Sequence, residues 1–148
     1  MATTSKSAKK INYTYAVGRR KTANARVRLY KTPSVPGVVG EVQLLVNGKP
    51  AEQYFPGELA KQTYRRPFIL TETLQKMSAS AVVAGSGKNG QLDAVVHGLA
   101  RALSALDVEK FRPILKSAKL LTRDPRAKER RKVGTGGKAR RSKQSPKR

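Results

Sequence analysis

Three glycines are spaced as Gly85-x-Gly87-x-x-Gly90 between a predicted strand and a predicted helix. This pattern is typical of a loop that holds dinucleotide phosphates, and Asp107 lies roughly where a ribose-binding acid is expected. A dinucleotide-binding unit needs further strands and helices, whereas one more helix and a basic tail follow here. A P-loop is not favoured either, because Lys and Ser or Thr do not follow Gly90. The same loop, with Lys88 beside it, could instead hold a nucleic-acid phosphate.

The other catalytic options are few, because the chain has one histidine and no cysteine. No Ser, Asp or Glu is placed in sequence to form a persuasive triad with His97, so a structural or nucleic-acid-contacting histidine is favoured over a general base. A cysteine-based zinc site and thiolate catalysis are excluded. We therefore expect no enzyme, no metal, no cofactor and no small-molecule substrate.

The charge of the chain points to a polyanionic partner. The 148 residues include 32 Lys or Arg and 9 Asp or Glu, which gives a net charge of +23. Dense phosphates, on nucleic acid or on an acidic membrane, neutralise such a charge. No run of eighteen apolar residues occurs, and the first ten residues lack the apolar segment of a secretory signal. We expect a soluble protein that works where it is made, with nucleic acid or an acidic membrane surface as its partner.

The charge is concentrated at the two ends of the chain. Residues 123–148 hold twelve basic and two acidic residues, and Val133 is their only large aliphatic side chain. Such a segment cannot form a core, so we expect a binding arm that orders against its partner; a solubilising or localisation tail is the alternative. The predicted organisation is a flexible basic segment at 1–10, a globular domain at 11–122 and the tail at 123–148.

A basic cluster is predicted on the first two strands, at 13–18 and 24–30. Arg19, Arg20 and Lys21 form the turn between them, and in the second strand Arg26 and Arg28 alternate with apolar residues. This alternation predicts one apolar and one basic face, which favours phosphate contact over a merely solvated turn. Three tyrosines could stack on bases, although strand packing is expected for at least one of them: Tyr13, Tyr15 and Tyr30.

The remaining elements predict an α/β domain. A third strand at 41–46 ends in an Asn47-Gly48 turn, and a fourth spans 78–84. Short helices are predicted at 51–55, at 57–62 and from Pro67 towards residue 76.

Apolar residues at helical spacing from Leu92 to Leu106 predict a helix that packs across the sheet, with Asp93 in its first turn. His97 and Arg101 share one face of this helix. Gly98 between them allows close approach of a neighbouring element or of RNA backbone. A last helix near 107–117 is expected to be interrupted by Pro113.

Several motifs, in order along nearly the whole chain, resemble the family of bacterial-type ribosomal protein nine of the small subunit. They are Gly18-Arg-Arg-Lys-Thr-Ala-Asn-Ala-Arg-Val-Arg28, Val46-Asn-Gly-Lys-Pro50, Tyr54-Phe-Pro56, Gly90-Gln91, His97-Gly-Leu-Ala-Arg-Ala-Leu103, Leu121-Thr-Arg-Asp-Pro-Arg126, Glu129-Arg-Arg-Lys-Val-Gly134, Lys138-Ala-Arg-Arg141 and Lys147-Arg148. This resemblance implies an α+β two-layer fold: a mixed sheet packed by helices, like the second domain of ribosomal protein five, with a left-handed β-α-β crossover and a long basic extension.

The resemblance also implies a cytoplasmic structural protein of the small-subunit head that binds 16S-type ribosomal RNA and neighbouring ribosomal proteins and has no membrane partner. Its tail would reach peptidyl-site transfer RNA through Lys147 and Arg148. The residues expected to contact ribosomal RNA are Lys10, Arg19, Arg20, Lys21, Arg26, Arg28, Lys88, His97, Arg101, Arg123, Arg126, Lys128, Arg130, Arg131, Lys132, Lys138, Arg140, Arg141 and Lys143. A free-standing architectural nucleic-acid binder and a small nucleotide-dependent enzyme are the two alternatives.

Overall fold

The structure, a computed structural model, describes residues 12–36 and 43–141. These residues contain five strands and four helices. In chain order they are β1 (Thr14–Arg20), β2 (Ala23–Tyr30), β3 (Leu44–Val46), β4 (Lys49–Pro50), α1 (Ala51–Tyr54), α2 (Glu58–Leu70), β5 (Ser78–Ala84), α3 (Lys88–Leu106) and α4 (Val108–Ser117). No helix in these two ranges is both long and apolar enough to cross a membrane.

The strands form one mixed sheet in the order β1-β2-β5-β3-β4. β1 with β2, β2 with β5, and β3 with β4 are antiparallel pairs, whereas β3 and β5 run parallel. The connection from the β3–β4 hairpin to β5 contains α1 and α2, as a parallel pair requires a crossover. The predicted fold class, a mixed sheet packed by helices, is confirmed.

The core lies between the sheet and α3. On β2 the side chains of Ala25, Val27 and Leu29 are buried, and on α3 Val95 and Leu99 are buried in turn. The alternation in β2 and the helical spacing in α3 are the sequence features that produce these two apolar faces. Both predictions are confirmed.

Two glycines bring α3 unusually close to β1. A Cβ atom added to Gly18 would lie 2.8 Å from the Cα of Gly98 and closer still to the Ala94 carbonyl oxygen. A Cβ atom added to Gly98 would lie 2.6 Å from Cγ2 of Val27. Of the two roles predicted for Gly98, the structure therefore supports close packing of a neighbouring element.

Proline positions account for two corrections to the predicted helices. Pro67 does not open a helix that runs to residue 76; it lies inside α2, which ends at Leu70. Pro67 and Phe68 are buried, and this burial outweighs the one backbone hydrogen bond that a proline removes. Pro113 likewise lies inside an uninterrupted α4, whose Leu115 is buried.

The start of α3 is a third correction. The helix begins at Lys88, not near Leu92, because Gly87 caps it and its carbonyl accepts the Gln91 amide at 3.0 Å. The loop is therefore shorter than predicted, and Asp93 lies beyond the first turn.

The Asn47-Gly48 turn joins β3 and β4, and the sequence predicted only the first of these two strands. Both residues have positive φ, 48° and 78°, the requirement of a tight hairpin turn. Positions 41 and 42 of the predicted third strand lie outside the described residues, and β3 spans Leu44–Val46. The short β4 was missed, since two residues carry no alternation to detect.

Candidate nucleic-acid interface

The sheet face opposite α3 is rich in arginine. We call it the open face; it is formed by Tyr15, Val17 and Arg19 of β1, Asn24, Arg26, Arg28 and Tyr30 of β2, and Ser80, Val82 and Ala84 of β5. Arg19, Arg26 and Arg28 are exposed, and no acidic residue is among these ten. The predicted basic strand face is therefore present as a cationic surface.

The tyrosines near this face have different roles. Tyr30 is buried, and its hydroxyl lies 3.1 Å from Oγ of Ser80. Tyr13 packs edge-on against Tyr30 with ring centroids 6.2 Å apart, and the Arg28 guanidinium lies 5.1 Å from the Tyr13 ring. Tyr30 is thus the tyrosine expected to serve strand packing, while the exposed Tyr15 is available to a ligand.

Arg20, at the end of β1, forms a hub between three segments. Its guanidinium pairs with Asp93 of α3 at 3.3 Å and with Asp124 at 3.0 Å. It also donates to the carbonyl of Arg126 at 3.0 Å. The side chain is only 15% exposed, so these contacts attach the beginning of the tail to the domain.

Asp124 is the acidic partner that organises this attachment. Side-chain and backbone hydrogen bonds from Arg126 hold the pKa of Asp124 well below its usual range, and the charge of Arg20 adds to the effect. Asp124 therefore stays ionised between two arginines. Arg20 keeps a structural function here, whereas Arg19 and Lys21 on either side of it are exposed.

His97 and Arg101 of α3 both bind the backbone of β1. The Arg19 amide donates to Nδ1 of His97 at 3.2 Å, and the Arg101 guanidinium donates to the Val17 carbonyl at 2.5 Å. β1 is an edge strand, and residues two apart direct their backbone groups to the same side. The two side chains therefore satisfy part of the free edge of the sheet.

The environment of His97 favours a neutral imidazole. Burial lowers its pKa below the ordinary value, and the positive charges of Arg101 and Arg123 act in the same direction, while a hydrogen bond with the Leu121 backbone opposes them. The Arg19 amide can donate only to an unprotonated Nδ1. His97 therefore has a structural role here, and its predicted RNA contact stays a prediction.

The glycine loop is explained mostly by packing. A Cβ atom at Gly90 would lie 2.6 Å from Oγ of Ser86, and one at Gly85 would meet the Thr22 carbonyl. The Lys88 ammonium lies 3.3 Å from the centre of the Tyr54 ring. Asp107, considered as a ribose ligand, accepts the Lys110 amide at 3.1 Å and caps α4. No feature of this loop in the described residues calls for a dinucleotide.

The tail contains a closed loop around its glycines. Gly134, Gly136 and Gly137 all have positive φ, at 80°, 61° and 74°. The Thr135 hydroxyl donates to the carbonyls of Lys132 and Lys138, and the Lys132 amide donates to the Lys138 carbonyl at 3.2 Å. These bonds bring the two sides of the loop together.

An ion pair extends this closure along the tail. Arg140 donates through Nε and Nη2 to the two carboxylate oxygens of Glu129, at 2.9 and 3.2 Å, and this contact lowers the pKa of Glu129. The eight other predicted cations of the described tail are exposed: Arg123, Arg126, Lys128, Arg130, Arg131, Lys132, Lys138 and Arg141. The loop therefore displays a high density of positive charge on an irregular backbone.

Comparison with known proteins shows the family of this chain. The family model for ribosomal protein S9/S16 matches residues 18–148. The chain belongs to this family. It is 46% identical over 126 residues to small ribosomal subunit protein uS9 of Maridesulfovibrio salexigens, covering 85% of this chain and 90% of that one. The protein of the same name from Desulfovibrio desulfuricans is 43% identical over 122 residues, covering 82% and 87%.

Membership of the S9 family confirms the resemblance and identifies a structural, non-enzymatic protein of the small ribosomal subunit. It leaves the individual contact residues as predictions. Four of them lie outside the described residues: Lys10, Lys143, Lys147 and Arg148.

Sequence reasoning missed the contacts by which this member of the S9 family attaches its tail. The Asp93 and Asp124 partners of Arg20 are far from it in sequence, so no local pattern pairs them. The rarity of acids in the tail could have indicated these contacts. The tail has just two acids, Asp124 and Glu129, and each forms an ion pair with an arginine.

Proposed function

We propose that this protein holds folded RNA of the small-subunit head through its open face and its C-terminal tail, and that the tail tip contacts peptidyl-site transfer RNA. As a member of the S9 family it is a structural constituent of the small ribosomal subunit, which places its work on the ribosome in the cytoplasm. Ribosomal RNA and neighbouring proteins of the subunit are its partners.

The observation that carries the RNA contact is the acid-free open face. Arg26 and Arg28 project from the central part of the sheet without a carboxylate partner among the described residues. Arg19 and Lys21 extend the same charge to the β1–β2 turn. Arginine binds phosphate oxygens bidentately, and lysine adds a point charge, so this surface suits an RNA backbone.

The tail adds a second, irregular contact surface. Its exposed cations lie on backbone without helix or strand from Arg123 to Arg141, which suits grooves of folded RNA better than a flat surface. The domain divisions at 1–10, 11–122 and 123–148 fit this proposal, because the Arg20 hub lies where the third segment begins. Ordering of the tail on RNA remains part of the proposal.

The RNA contact is tested by salt titration of binding to the ribosomal RNA of the head. Arg26→Gln with Arg28→Gln should reduce affinity and flatten the dependence of log K on log salt by about one unit per lost phosphate contact. Arg66→Gln on α2 is the matched control, since this exposed arginine lies off the open face. Equal slopes for the double variant, the control and the wild type would contradict the proposal.

The transfer RNA contact needs a separate test at the tip. Subunits reconstituted with a chain lacking Lys147 and Arg148 should bind peptidyl-site transfer RNA about two- to tenfold more weakly at low salt, because two screened charges are lost. Lys147→Arg with Arg148→Lys keeps the charge and should bind normally. Unchanged affinity of the deletion at several salt concentrations would remove the transfer RNA contact from the proposal and leave the ribosomal RNA contact intact.

A further inference from the structure

The open face combines aromatic, apolar and cationic side chains in two neighbouring rows. The strand register places Tyr15, Arg28 and Ser80 side by side in one row. The next row holds Val17, Arg26 and Val82. Adjacent strands lie roughly 4.8 Å apart, so each row presents its arginine between side chains of β1 and β5.

The exposed groups of this face are the ones that a base can contact. Tyr15 is 51% and Val82 is 53% exposed, and with Arg26, Arg28 and Ser80 they line a groove of about 300 Å³. Within residues 12–36 and 43–141, the Tyr15 ring has no aromatic or cationic partner, in contrast to Tyr13 and Tyr30. An aromatic ring left open beside two arginines offers a stacking surface together with phosphate ligands.

We propose that the open face binds an unpaired RNA segment, with a base stacked on Tyr15 and backbone phosphates at Arg26 and Arg28. This inference rests on the proposed function and specifies the RNA class for one of its two surfaces. Duplex RNA presents phosphates and 2′-hydroxyls but keeps its bases stacked inside, so it would engage the arginines and leave Tyr15 and Val82 unused. An unpaired nucleotide engages all of these side chains.

The exposed Tyr15 ring, together with the positive charge of the open face, favours RNA over an acidic protein segment. An acidic peptide would satisfy Arg26 and Arg28 through carboxylates, yet Asp and Glu carry no aromatic ring that could stack on Tyr15. Each base has such a planar face, and stacking on an aromatic side chain is tolerant of base identity. The occupant should therefore be selected by strandedness more than by sequence.

The test compares two RNA probes on the full-length chain: an unstructured oligouridine and an RNA duplex of equal length. Binding is measured by fluorescence anisotropy at raised salt, where the charge contribution of the tail is weakened but stacking is retained. Tyr15→Ala should weaken oligouridine binding about five- to 150-fold, the equivalent of one stacked base, and change duplex binding less than twofold. Tyr15→Phe should restore oligouridine binding.

Matched controls separate stacking from general loss of surface or fold. Leu59→Ala removes an exposed apolar side chain from α2 and should affect neither probe. Arg26→Gln with Arg28→Gln should weaken both probes. A Tyr15→Ala chain that binds both probes as the wild type does, or weakens both equally, overturns the stacking proposal, as does polyglutamate that competes as well as oligouridine.

The outcomes also distinguish this proposal from the proposed function. If Tyr15→Ala has no effect while the double arginine variant loses affinity for ribosomal RNA, the open face binds RNA by charge alone. If the double arginine variant also keeps its affinity and salt dependence, the open face is not an RNA surface, and both the stacking proposal and the open-face part of the proposed function fail.

Discussion

Replacing Gly18 by alanine should separate α3 from β1. The added Cβ atom would lie 2.8 Å from the Cα of Gly98 and nearer still to the Ala94 carbonyl oxygen, whereas real Cβ atoms essentially never approach within 3.0 Å. Both opposing groups belong to the backbone of α3, so no side chain can rotate away. The helix must move outward, and the sheet–helix core must open with it.

The cost of that opening can be bounded. An extra methyl group forced into a well-packed core costs about 1–3 kcal/mol when side chains can adjust. Here the obstruction is backbone, so Gly18→Ala should cost about 3 kcal/mol or more. That is a large part of the 5–15 kcal/mol that stabilises a typical domain. The thermal midpoint should fall by about 10 °C or more.

Thermal unfolding followed by far-ultraviolet circular dichroism measures this effect. Gly87→Ala is the matched control, because nothing lies within 4 Å of a Cβ atom there, and it should cost about 1 kcal/mol at most. Gly98→Ala should be intermediate, since its Cβ atom meets a Val27 methyl group while alanine improves helix propensity. A Gly18→Ala midpoint equal to that of Gly87→Ala would refute the close-approach argument.

Three further predictions concern the contacts around the tail. Arg20→Gln should raise amide exchange at Arg126 by up to about fivefold for each lost ion pair, while Lys21→Gln leaves it unchanged. Burial lowers the folded-state pKa of His97, so the unfolded chain binds the proton more tightly. The contribution of His97 to the free energy of unfolding should therefore be fully present above pH 6.5 and be lost as the pH drops towards the folded-state pKa. His97→Gln should abolish that loss in urea titrations between pH 7 and 5. Thr135→Val removes the hydroxyl that joins both sides of the tail loop and should speed amide exchange there; unchanged exchange would show that the loop closes without it.

Local patterns predicted the elements that bury one face. The alternation of Ala25, Val27 and Leu29 was enough to place β2, and the apolar spacing of α3 was enough to set it against the sheet. The Asn47-Gly48 pair predicted a turn, and both residues have positive φ in the structure. Each of these signals depends on residues within one or two turns of the chain.

Features that depend on distant residues were not predictable. Pro67 was predicted to start a helix, because the local sequence does not show that Phe68 is buried in the core. His97 and Arg101 were correctly placed on one helix face, but their targets on β1 are 78 and 84 residues away. The sequence at these positions predicted RNA contact, which stays a prediction, and it gave no sign of the bonds to the sheet edge that the fold reveals.

Three acids of this strongly basic chain act as positioning groups. Asp93 and Asp124 hold Arg20 between α3 and the tail, and Glu129 closes the tail loop through Arg140. None of them lies on the open face, where an acid would repel phosphate. These carboxylates engage Arg20, Arg126 and Arg140 and thereby fix where the other cations are displayed. On this view the positive charge that the surface offers to RNA depends more on where the few acids lie than on the net charge of +23.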